Sequence, residues 1–448
     1  MLLTARYVLP VSTPHIESGA LLVRDDKIIE IGDFKHLKAL HPDEPVRDFG
    51  LAALMPGFID LHTHLEYSAM RGLVDDLPYS EWKLQLMHKE RQFSAQDWDD
   101  SALLGALEAL QSGITTVADI TRTGASGRAA QAAGLRALIY REVATMDKHQ
   151  IDEVMARASA DIEAWRETSD SDRITIGIGP HAPYSCHPEL FRRVAAYAED
   201  GTPVVIHLAG SVEEYDFVKY GSSRLATEVR DTYDAHAPGW LPTGVSPVRY
   251  VLQWGLLDVP NILAVHCTQV DDDDIEVLSS RDVAIAHCPR CEAKLGMGVA
   301  PIEKFLRACI RVGLGTDSPA ASNAMDMFEE MRIGLLVQRA ILGEANFMNA
   351  RQFVKMATLD AARALKIDDR LGSLEPGKRA DVIAVDLSKS HQIPTHHPYS
   401  TLVHTANQEN VLATMIGGEF VYENRVWSRL DHERVYARAE EMRMQLRS

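Results

Sequence analysis

The sequence predicts an α/β protein in which a (β/α)8 TIM barrel is inserted into a small β-sandwich domain built from both termini. From Pro56 to about residue 317, apolar strands alternate with amphipathic helical stretches. Such alternation is typical of a parallel sheet with helical crossovers. The two ends of the chain instead contain short strands separated by turn residues. We therefore expect these ends to pair with each other.

Eight strand candidates occur in the central region, and eight is the number of strands that closes a (β/α) barrel. They are GFIDLH (57–62), ITTVAD (114–119), ALIYREV (137–143), ITIGIGPHAP (174–183), PVVIHLA (203–209), ILAVHC (262–267), VAIAHCP (283–289) and VGLGTD (312–317). Apolar periodicity predicts helices between them, and Gly113 and Gly201 are placed to end two of these helices. The barrel is expected over residues 55–369.

The β domain is expected from residues 1–54 and 370–428. Asp25-Asp26 separates two apolar runs as a hairpin turn does, and Gly417-Gly418 does the same near the C-terminus. A charged amphipathic helix is predicted over residues 429–448, and its sequence indicates no chemistry.

Composition restricts the class of partner. The chain has 448 residues, of which 46% are hydrophobic, and a formal net charge of −18. That charge argues against nucleic acid or an anionic membrane as a partner. The N-terminus has no basic region followed by a sustained apolar stretch, and no apolar run is long enough to span a bilayer. We expect a cytoplasmic protein with a small-molecule substrate.

The five cysteines are odd in number, which fits reduced thiols better than a disulfide framework. Cys288-Pro-Arg-Cys291 has C-x-x-C spacing, but no second pair completes a zinc site. A redox pair and two unpaired thiols are the remaining interpretations.

Two histidines end the first predicted barrel strand, in the sequence His62-Thr-His64. Because side chains alternate along a strand, both imidazoles point to the same side. Such a pair suits a metal ion. Alternatively, the two histidines share the polar end of a core strand.

Further ligand-type residues end three other predicted strands. The active site of such a barrel lies at the carboxyl ends of its strands. His207, His266 and Asp317 occupy these positions on strands five, six and eight. With the first two histidines they predict one metal centre. Such a ligand set suits Zn²⁺, with Fe²⁺ or Mn²⁺ as alternatives.

A bound divalent ion lowers the pKa of a water molecule from about 15.7 to about 7, which supplies a hydroxide nucleophile. Asp317 is placed to accept a proton, and His266, if it is not itself a ligand, to polarise the group under attack. The implied chemistry is hydrolytic.

A set of motifs occurs in fixed order between about Leu22 and Gly418. The motifs are HTHLEYSAMRG with YSEW, LQSGITTVADI, GIGPHAPYS, VVIHLAGSVEE, AVHCTQV, AIAHCPR, GLGTDSPAAS and LEPGKRADVIAVDL. Together they resemble the amidohydrolase superfamily, most closely its deaminase and chlorohydrolase branch. That branch includes S-adenosylhomocysteine, methylthioadenosine and aminodeoxyfutalosine deaminases.

The resemblance implies a role for each matching residue. The implied ligands of a single metal ion are His62, His64, His207 and Asp317, and His266 is implied to contact the hydrolytic water or the substrate. His181 matches a residue that lines the substrate pocket, although it could simply cap a βα loop. Trp82 and Arg141 fall where relatives contact the substrate, but a tryptophan buried under the first loop explains Trp82 equally well. Relatives often dimerise, so a homodimer is possible.

One departure from the resemblance affects the chemistry. The deaminases have His-x-x-Glu on the fifth strand, where the glutamate binds a ring nitrogen and moves a proton. Here the motif is His207-Leu-Ala-Gly210. The glycine marks a branch with a different substrate, or Glu213 or Glu214 replaces the glutamate, or the substitution is inactivating. A second departure is Cys291-Glu292, where relatives usually have Ser-Asn.

The predicted function is metal-dependent hydrolytic deamination of an aminated heterocycle, such as a purine nucleoside of the aminodeoxyfutalosine or adenosine type. One alternative is hydrolysis that releases another group, such as chloride, an alkylamine or the nitrogen of a cyclic amide. The other is a catalytically impaired variant that binds metal and ligand without turnover.

Overall fold

The computed structural model describes residues 1–226 and 240–447. Within them, an eight-stranded parallel barrel stands beside a separate nine-stranded mixed sheet. The predicted α/β class is confirmed, and each of the eight predicted barrel strands is present.

Each barrel strand is hydrogen-bonded to the next one in sequence order. Their bounds are β6 Phe58–Thr63, β7 Ile114–Thr121, β8 Arg136–Val143, β9 Ile174–Pro180, β10 Val204–Leu208, β11 Ile262–His266, β12 Ala284–His287 and β13 Val312–Leu314. The residues after β13 return to β6, because Asp317 N donates to His62 O at 2.8 Å and Thr316 N donates to Asp60 Oδ1 at 2.9 Å. The barrel therefore closes next to the first histidine pair.

The mixed sheet combines both ends of the chain. Its strands are β1 Leu2–Val8, β2 Ile16–Arg24, β3 Lys27–Asp33, β4 Val46–Asp48, β5 Ala52–Pro56, β14 Val382–Asp386, β15 Val411–Ile416, β16 Glu419–Glu423 and β17 Val426–Trp427. β5 pairs antiparallel with β14 and parallel with β1. Hairpin turns at Asp25-Asp26 and Gly417-Gly418 lie where the sequence predicts them.

Helices cover the barrel and follow its strands. The α-helices are Phe34–Leu40, Tyr79–Glu90, Ala95–Gln111, Ala125–Ala133, Ile151–Thr168, Pro188–Tyr197, Val212–Tyr220, Pro247–Gln253, Asp272–Ser280, Pro289–Lys294, Ile302–Arg307, Pro319–Ser322, Met327–Leu342, Ala350–Met356, Leu359–Ala364, Pro398–Thr405 and His432–Arg447. Short 3-10 helices occur at Leu65–Met70, Lys148–Gln150, Ala198–Asp200, Leu256–Asp258 and Gln408–Asn410. Ser448, at the end of the predicted C-terminal helix, lies outside the described residues.

Local sequence explains the helix that precedes β7. Ser94 and Asp97 form a capping box at its start, which satisfies backbone N–H groups that the first helical turn leaves unpaired. Gly113, with φ of +79°, follows its end, and glycine adopts this left-handed conformation without steric cost.

The cysteines form no disulfide, and Cys288 and Cys291 are buried thiols. In residues 1–226 and 240–447, no helix has both the length and the apolar character needed to cross a membrane.

Candidate active site

Five side chains from four barrel strands meet at one end of the barrel. Asp317 Oδ1 lies 3.3 Å from His62 Nε2 and 3.9 Å from His64 Nε2, and Asp317 Oδ2 lies 3.9 Å from His266 Nε2. The His207 ring centroid is 5.0 Å from that of His62. Two overlapping triads therefore each have ligand atoms within 4.8 Å of one another: His62, His64 and His207, and His62, His266 and Asp317.

Backbone carbonyls orient two of the histidines. His64 Nδ1 donates to Ile120 O at 2.9 Å, and His207 Nδ1 donates to His181 O at 2.9 Å. A hydrogen on Nδ1 leaves the Nε2 lone pair available to a metal ion. His62 is fully buried, and neither of its ring nitrogens has a hydrogen-bond partner among the described residues. Buried polar atoms normally have partners, so the site fits a group that would occupy this position.

The charge states also fit a divalent cation. Burial lowers the pKa of His62, lowers that of His64 to about 3 and holds that of His207 well below its usual range. Burial alone would raise the pKa of Asp317, but the neighbouring histidines, His62 foremost, hold it well below the ordinary value. Three neutral imidazoles and one carboxylate are a suitable donor set for a divalent metal ion.

The backbone is strained where it leaves these strands. Positive φ angles occur at Ala209 (+49°), His266 (+76°) and Asp317 (+57°), none of which is glycine. A left-handed conformation at such residues costs roughly 1–3 kcal/mol each, and it clusters at functional sites. The strain therefore marks the same strand ends as the side-chain cluster.

His266 has a carboxylate behind it. Its Nδ1 lies 3.5 Å from Glu292 Oε1, and Glu292 Oε2 lies 2.9 Å from His287 Nδ1. Burial alone would raise the pKa of Glu292, but His287 and His266 outweigh burial and lower it to about 2. Glu292 is thus a buried anion whose ionic partners are histidines.

A cleft of about 540 Å³ opens above the cluster. His181 and Trp82 both line it, as do His64, His207, His266 and Asp317. The structure therefore brings six of the predicted site residues to one cavity. His62 lies beneath them, fully buried.

Arg141, expected from the sequence to contact the substrate, is not among the residues that line the cleft. Its Nε donates to Asp161 Oδ2 at 2.8 Å, on the helix Ile151–Thr168 outside the barrel. Side chains alternate along a strand, so the next residue, Glu142, lines the cleft instead.

Gly210, two residues after the end of β10, faces His266. A Cβ atom at this position would lie 3.2 Å from His266 Cδ2 and 3.1 Å from Met297 Cε. Neither neighbouring acid replaces the missing glutamate. Glu214 accepts hydrogen bonds from Ala209 N and Gly210 N, both at 2.9 Å, and Glu213 accepts from Ser80 N and Ser80 Oγ.

The sequence interpretation missed several charged residues of the cleft, which are Glu66, Lys83, Arg122 and Glu142. Lys83 is half-buried on the helix Tyr79–Glu90, with its Nζ 3.4 Å from His181 Nε2. Arg122 and Glu142 lie at the carboxyl ends of β7 and β8. The strand-end criterion that identified His207 would have found both.

The fold and the site define a hydrolase barrel whose strand ends hold a donor set for a divalent metal ion. The amidohydrolase family model matches residues 53–421, so the chain belongs to the amidohydrolase family. It is accordingly a metal-dependent hydrolase that acts on carbon–nitrogen bonds.

Similar proteins extend along nearly the whole chain. A 5-methylthioadenosine/S-adenosylhomocysteine deaminase from Moorella thermoacetica is 32% identical over 433 residues, 96% of each chain. A crystal structure of an adenosine deaminase from Xanthomonas campestris with bound zinc has 28% identity and a TM-score of 0.87, covering 100% of this chain and 98% of the other. An atrazine chlorohydrolase from Arthrobacter aurescens complexed with zinc, at 22% identity and a TM-score of 0.85, covers 98% of this chain and 99% of its own. The last likeness indicates the fold alone.

Proposed function

We propose that this protein is a zinc-dependent deaminase of an aminated heterocycle, with a purine nucleoside of the adenosine or aminodeoxyfutalosine type as substrate. The observation that carries the proposal is the histidine and aspartate cluster at the floor of a cleft of about 540 Å³. Aromatic and apolar side chains with a few charged groups line the cleft, as is typical of small-molecule sites. The deaminase names of the 32% identical relatives support the choice of reaction.

We assign His62, His64, His207 and Asp317 as the residues that hold the ion. Zn²⁺ is favoured because the 28% identical adenosine deaminase contains zinc and because imidazole and carboxylate are suitable zinc ligands. When bound, such an ion lowers the pKa of water and polarises the group under attack. Low imidazole pKa values keep the ligands unprotonated at neutral pH.

The other steps belong to the side chains of the cleft. Asp317, held as a carboxylate, accepts a proton from the attacking water and returns one to the departing amine. His266, whose Nε2 faces Asp317 at 3.9 Å, contacts the attacking water through this nitrogen and orients it. His181 and Trp82 hold the heterocycle from the side of the cleft.

A second candidate is hydrolysis of the same type of ring with a different leaving group. The observation that favours it is Gly210, because the acids nearest to it in sequence are bound elsewhere. Glu214 accepts two backbone hydrogen bonds and Glu213 accepts two from Ser80. A substrate that needs no carboxylate at position 210 would suit this site.

The test is ammonia release from a substrate panel by zinc-loaded protein. The panel contains 5-methylthioadenosine, S-adenosylhomocysteine, adenosine, aminodeoxyfutalosine, guanine, aminopyrimidines and chlorinated and alkylamino triazines. We expect release from one of the nucleosides. Release of chloride or alkylamine alone would favour the second candidate. No turnover of any compound would overturn both and leave a binding protein.

Gly210→Glu separates an altered branch from an impaired deaminase. In an altered branch the variant is no better than the wild type, because the substrate of such a branch needs no carboxylate at this position. In an impaired deaminase it raises nucleoside turnover by about 10²–10⁴, the usual effect of a general acid or base.

Metal analysis provides the accompanying check. We expect about one zinc ion per chain in protein purified without chelator, in line with the single four-ligand site, and loss of activity after chelation that zinc restores. Absence of a stoichiometric divalent ion would contradict the assigned ligands.

A further inference from the structure

Glu292 is a buried carboxylate whose partners set it apart from the other buried acids. Its exposed fraction is 1%. Among the described residues, its ion-pair partners are His266 and His287, with no lysine or arginine. Glu330, on a neighbouring helix and equally buried, instead lies 3.6 Å from Arg290 Nε.

The polypeptide around Glu292 fixes its carboxylate in place. Oε1 accepts a hydrogen bond from Cys288 N at 2.9 Å, and Oε2 lies 2.9 Å from His287 Nδ1. The helix Pro289–Lys294 begins directly after β12, so the carboxylate is attached to the barrel wall next to β11. The same Oε1 that accepts from the backbone lies 3.5 Å from His266 Nδ1.

This contact constrains the orientation of the His266 ring. With Nδ1 toward Glu292, Nε2 faces the cleft and Asp317, 3.9 Å away. A carboxylate accepts hydrogen bonds and cannot donate them. An ionised carboxylate beside Nδ1 favours a hydrogen on that nitrogen, and a carboxylate behind an imidazole can select its tautomer in this way.

Gly210 lies against the same imidazole. A Cβ at position 210 would come within 3.2 Å of His266 Cδ2 and 3.5 Å of His266 Cβ. The two departures from the family's sequence pattern, Gly210 and Glu292, therefore both adjoin His266. A carboxylate is absent from one side of the ring and present on the other.

We propose that Glu292 is the positioning residue of His266, which it holds with a hydrogen on Nδ1 and with Nε2 directed at the substrate. Glu292 does not itself touch the substrate, since it lies behind the ring that lines the cleft. This inference rests on the proposed function for the role of His266. The state of the His266 ring, however, can be measured without a substrate.

The test compares Glu292→Met with Glu330→Met. Methionine has a similar length and no charge, and Glu330 is an equally buried acid that does not contact His266. Both proteins are loaded with zinc and labelled with ¹⁵N-histidine, and the His266 signal is assigned by its loss in His266→Gln. The ring ¹⁵N shifts report which nitrogen carries the hydrogen.

We expect hydrogen on His266 Nδ1 in the wild type and in Glu330→Met, and a move to Nε2 or a mixture of tautomers in Glu292→Met. With 5-methylthioadenosine, Glu292→Met should lower kcat by about 10- to 100-fold, the usual effect of removing a group that orients an active histidine. KM and zinc content should stay at wild-type values. Glu292→Gln, which keeps an acceptor oxygen, should recover part of kcat.

If Glu292→Met does not fold, Glu292→Leu, which also removes the acceptor oxygens, replaces it in both measurements with the same expected result. An unchanged His266 tautomer in the folded variant overturns the proposal. If the wild type turns over no nucleoside but the tautomer moves as expected, the proposed substrate fails and the positioning role of Glu292 stands.

Discussion

Asp317 is the residue on which the proposed chemistry depends most. It follows β13, it has a positive φ, and its two carboxylate oxygens approach three histidines. The neighbouring His62, at 3.3 Å, also contributes most to the low pKa of Asp317. The same carboxylate is therefore placed both to bind an ion and to accept a proton.

Asp317→Asn should lower deaminase activity by at least about 10²–10⁴, the range for loss of a general base, and should also reduce the bound zinc. Ammonia release from 5-methylthioadenosine and metal analysis measure the two effects. Asp161→Asn, outside the barrel beside Arg141, is the control and should leave both unchanged. Wild-type turnover by Asp317→Asn would exclude the proposed role.

At the scale of single elements, the helix Tyr79–Glu90 forms one side of the cleft. It contributes Tyr79, Trp82 and Lys83 to the lining. Glu213, on the helix Val212–Tyr220, holds it through Ser80 N at 3.1 Å and Ser80 Oγ at 2.7 Å. Two helices far apart in sequence are thus joined beside the cleft.

Glu213→Ala should raise KM by up to about tenfold, which corresponds to about 1.4 kcal/mol. The effect on kcat should be smaller. The reason is that the helix bearing Trp82 and Lys83 loses two hydrogen bonds that fix its position. Steady-state kinetics measure the split. Asp216→Ala, on the same helix as Glu213, is the matched control, and an equal rise in KM there would contradict this account.

The turn between β10 and the helix Val212–Tyr220 contains a buried acid that should make stability depend on pH. Burial raises the pKa of Glu214 to about 7, from an ordinary value of 4.5. Between these pH values the folded state binds the proton more tightly than the unfolded state. This group therefore contributes stability at low pH that is lost as the pH rises toward 7.

Glu214→Gln should remove that dependence. As the pH rises from 5 to 8, the free energy of unfolding of the wild type should fall relative to that of the variant. Urea denaturation of both proteins at each pH measures the difference, and most other ionisable groups cancel in the comparison. Parallel pH profiles of the two proteins would show that Glu214 ionises normally.

At the scale of the whole molecule, a buried ion pair joins the barrel to the mixed sheet. Arg136, in β8, donates from Nε to Asp381 Oδ2 at 2.7 Å and from Nη2 to Oδ1 at 3.1 Å. Asp381 also accepts from Gly417 N in the β15–β16 hairpin. Asp381, just before β14, and the β15–β16 hairpin are thereby fixed to the barrel strand β8.

Asp381→Asn should lower the free energy of unfolding by about 3–5 kcal/mol, because it leaves Arg136 buried without a counter-ion. Chemical denaturation measures the loss. The exposed pair of Arg425 and Glu409 provides the control, since Glu409→Gln should change stability by about 1 kcal/mol or less. Similar losses in the two variants would mean that Arg136 finds another partner.

The sequence by itself determined the eight barrel strands, the terminal sheet and the strand-end positions of the histidines and Asp317. These features follow from local patterns, since period-two alternation and apolar runs bounded by turn residues need no distant partner to be recognised. The H-x-H pair could likewise be assigned to one side of its strand from spacing alone.

Only the tertiary structure decided which side chains face the cleft and what supports them. Arg141 faces the outer helix and Glu142 the cleft, because the register between neighbouring strands sets which alternate face points inward. Glu213 and Glu214 bind a helix and a turn, and Glu292 lies behind His266, because these contacts join residues that packing alone brings together. A linear pattern contains no information about such contacts.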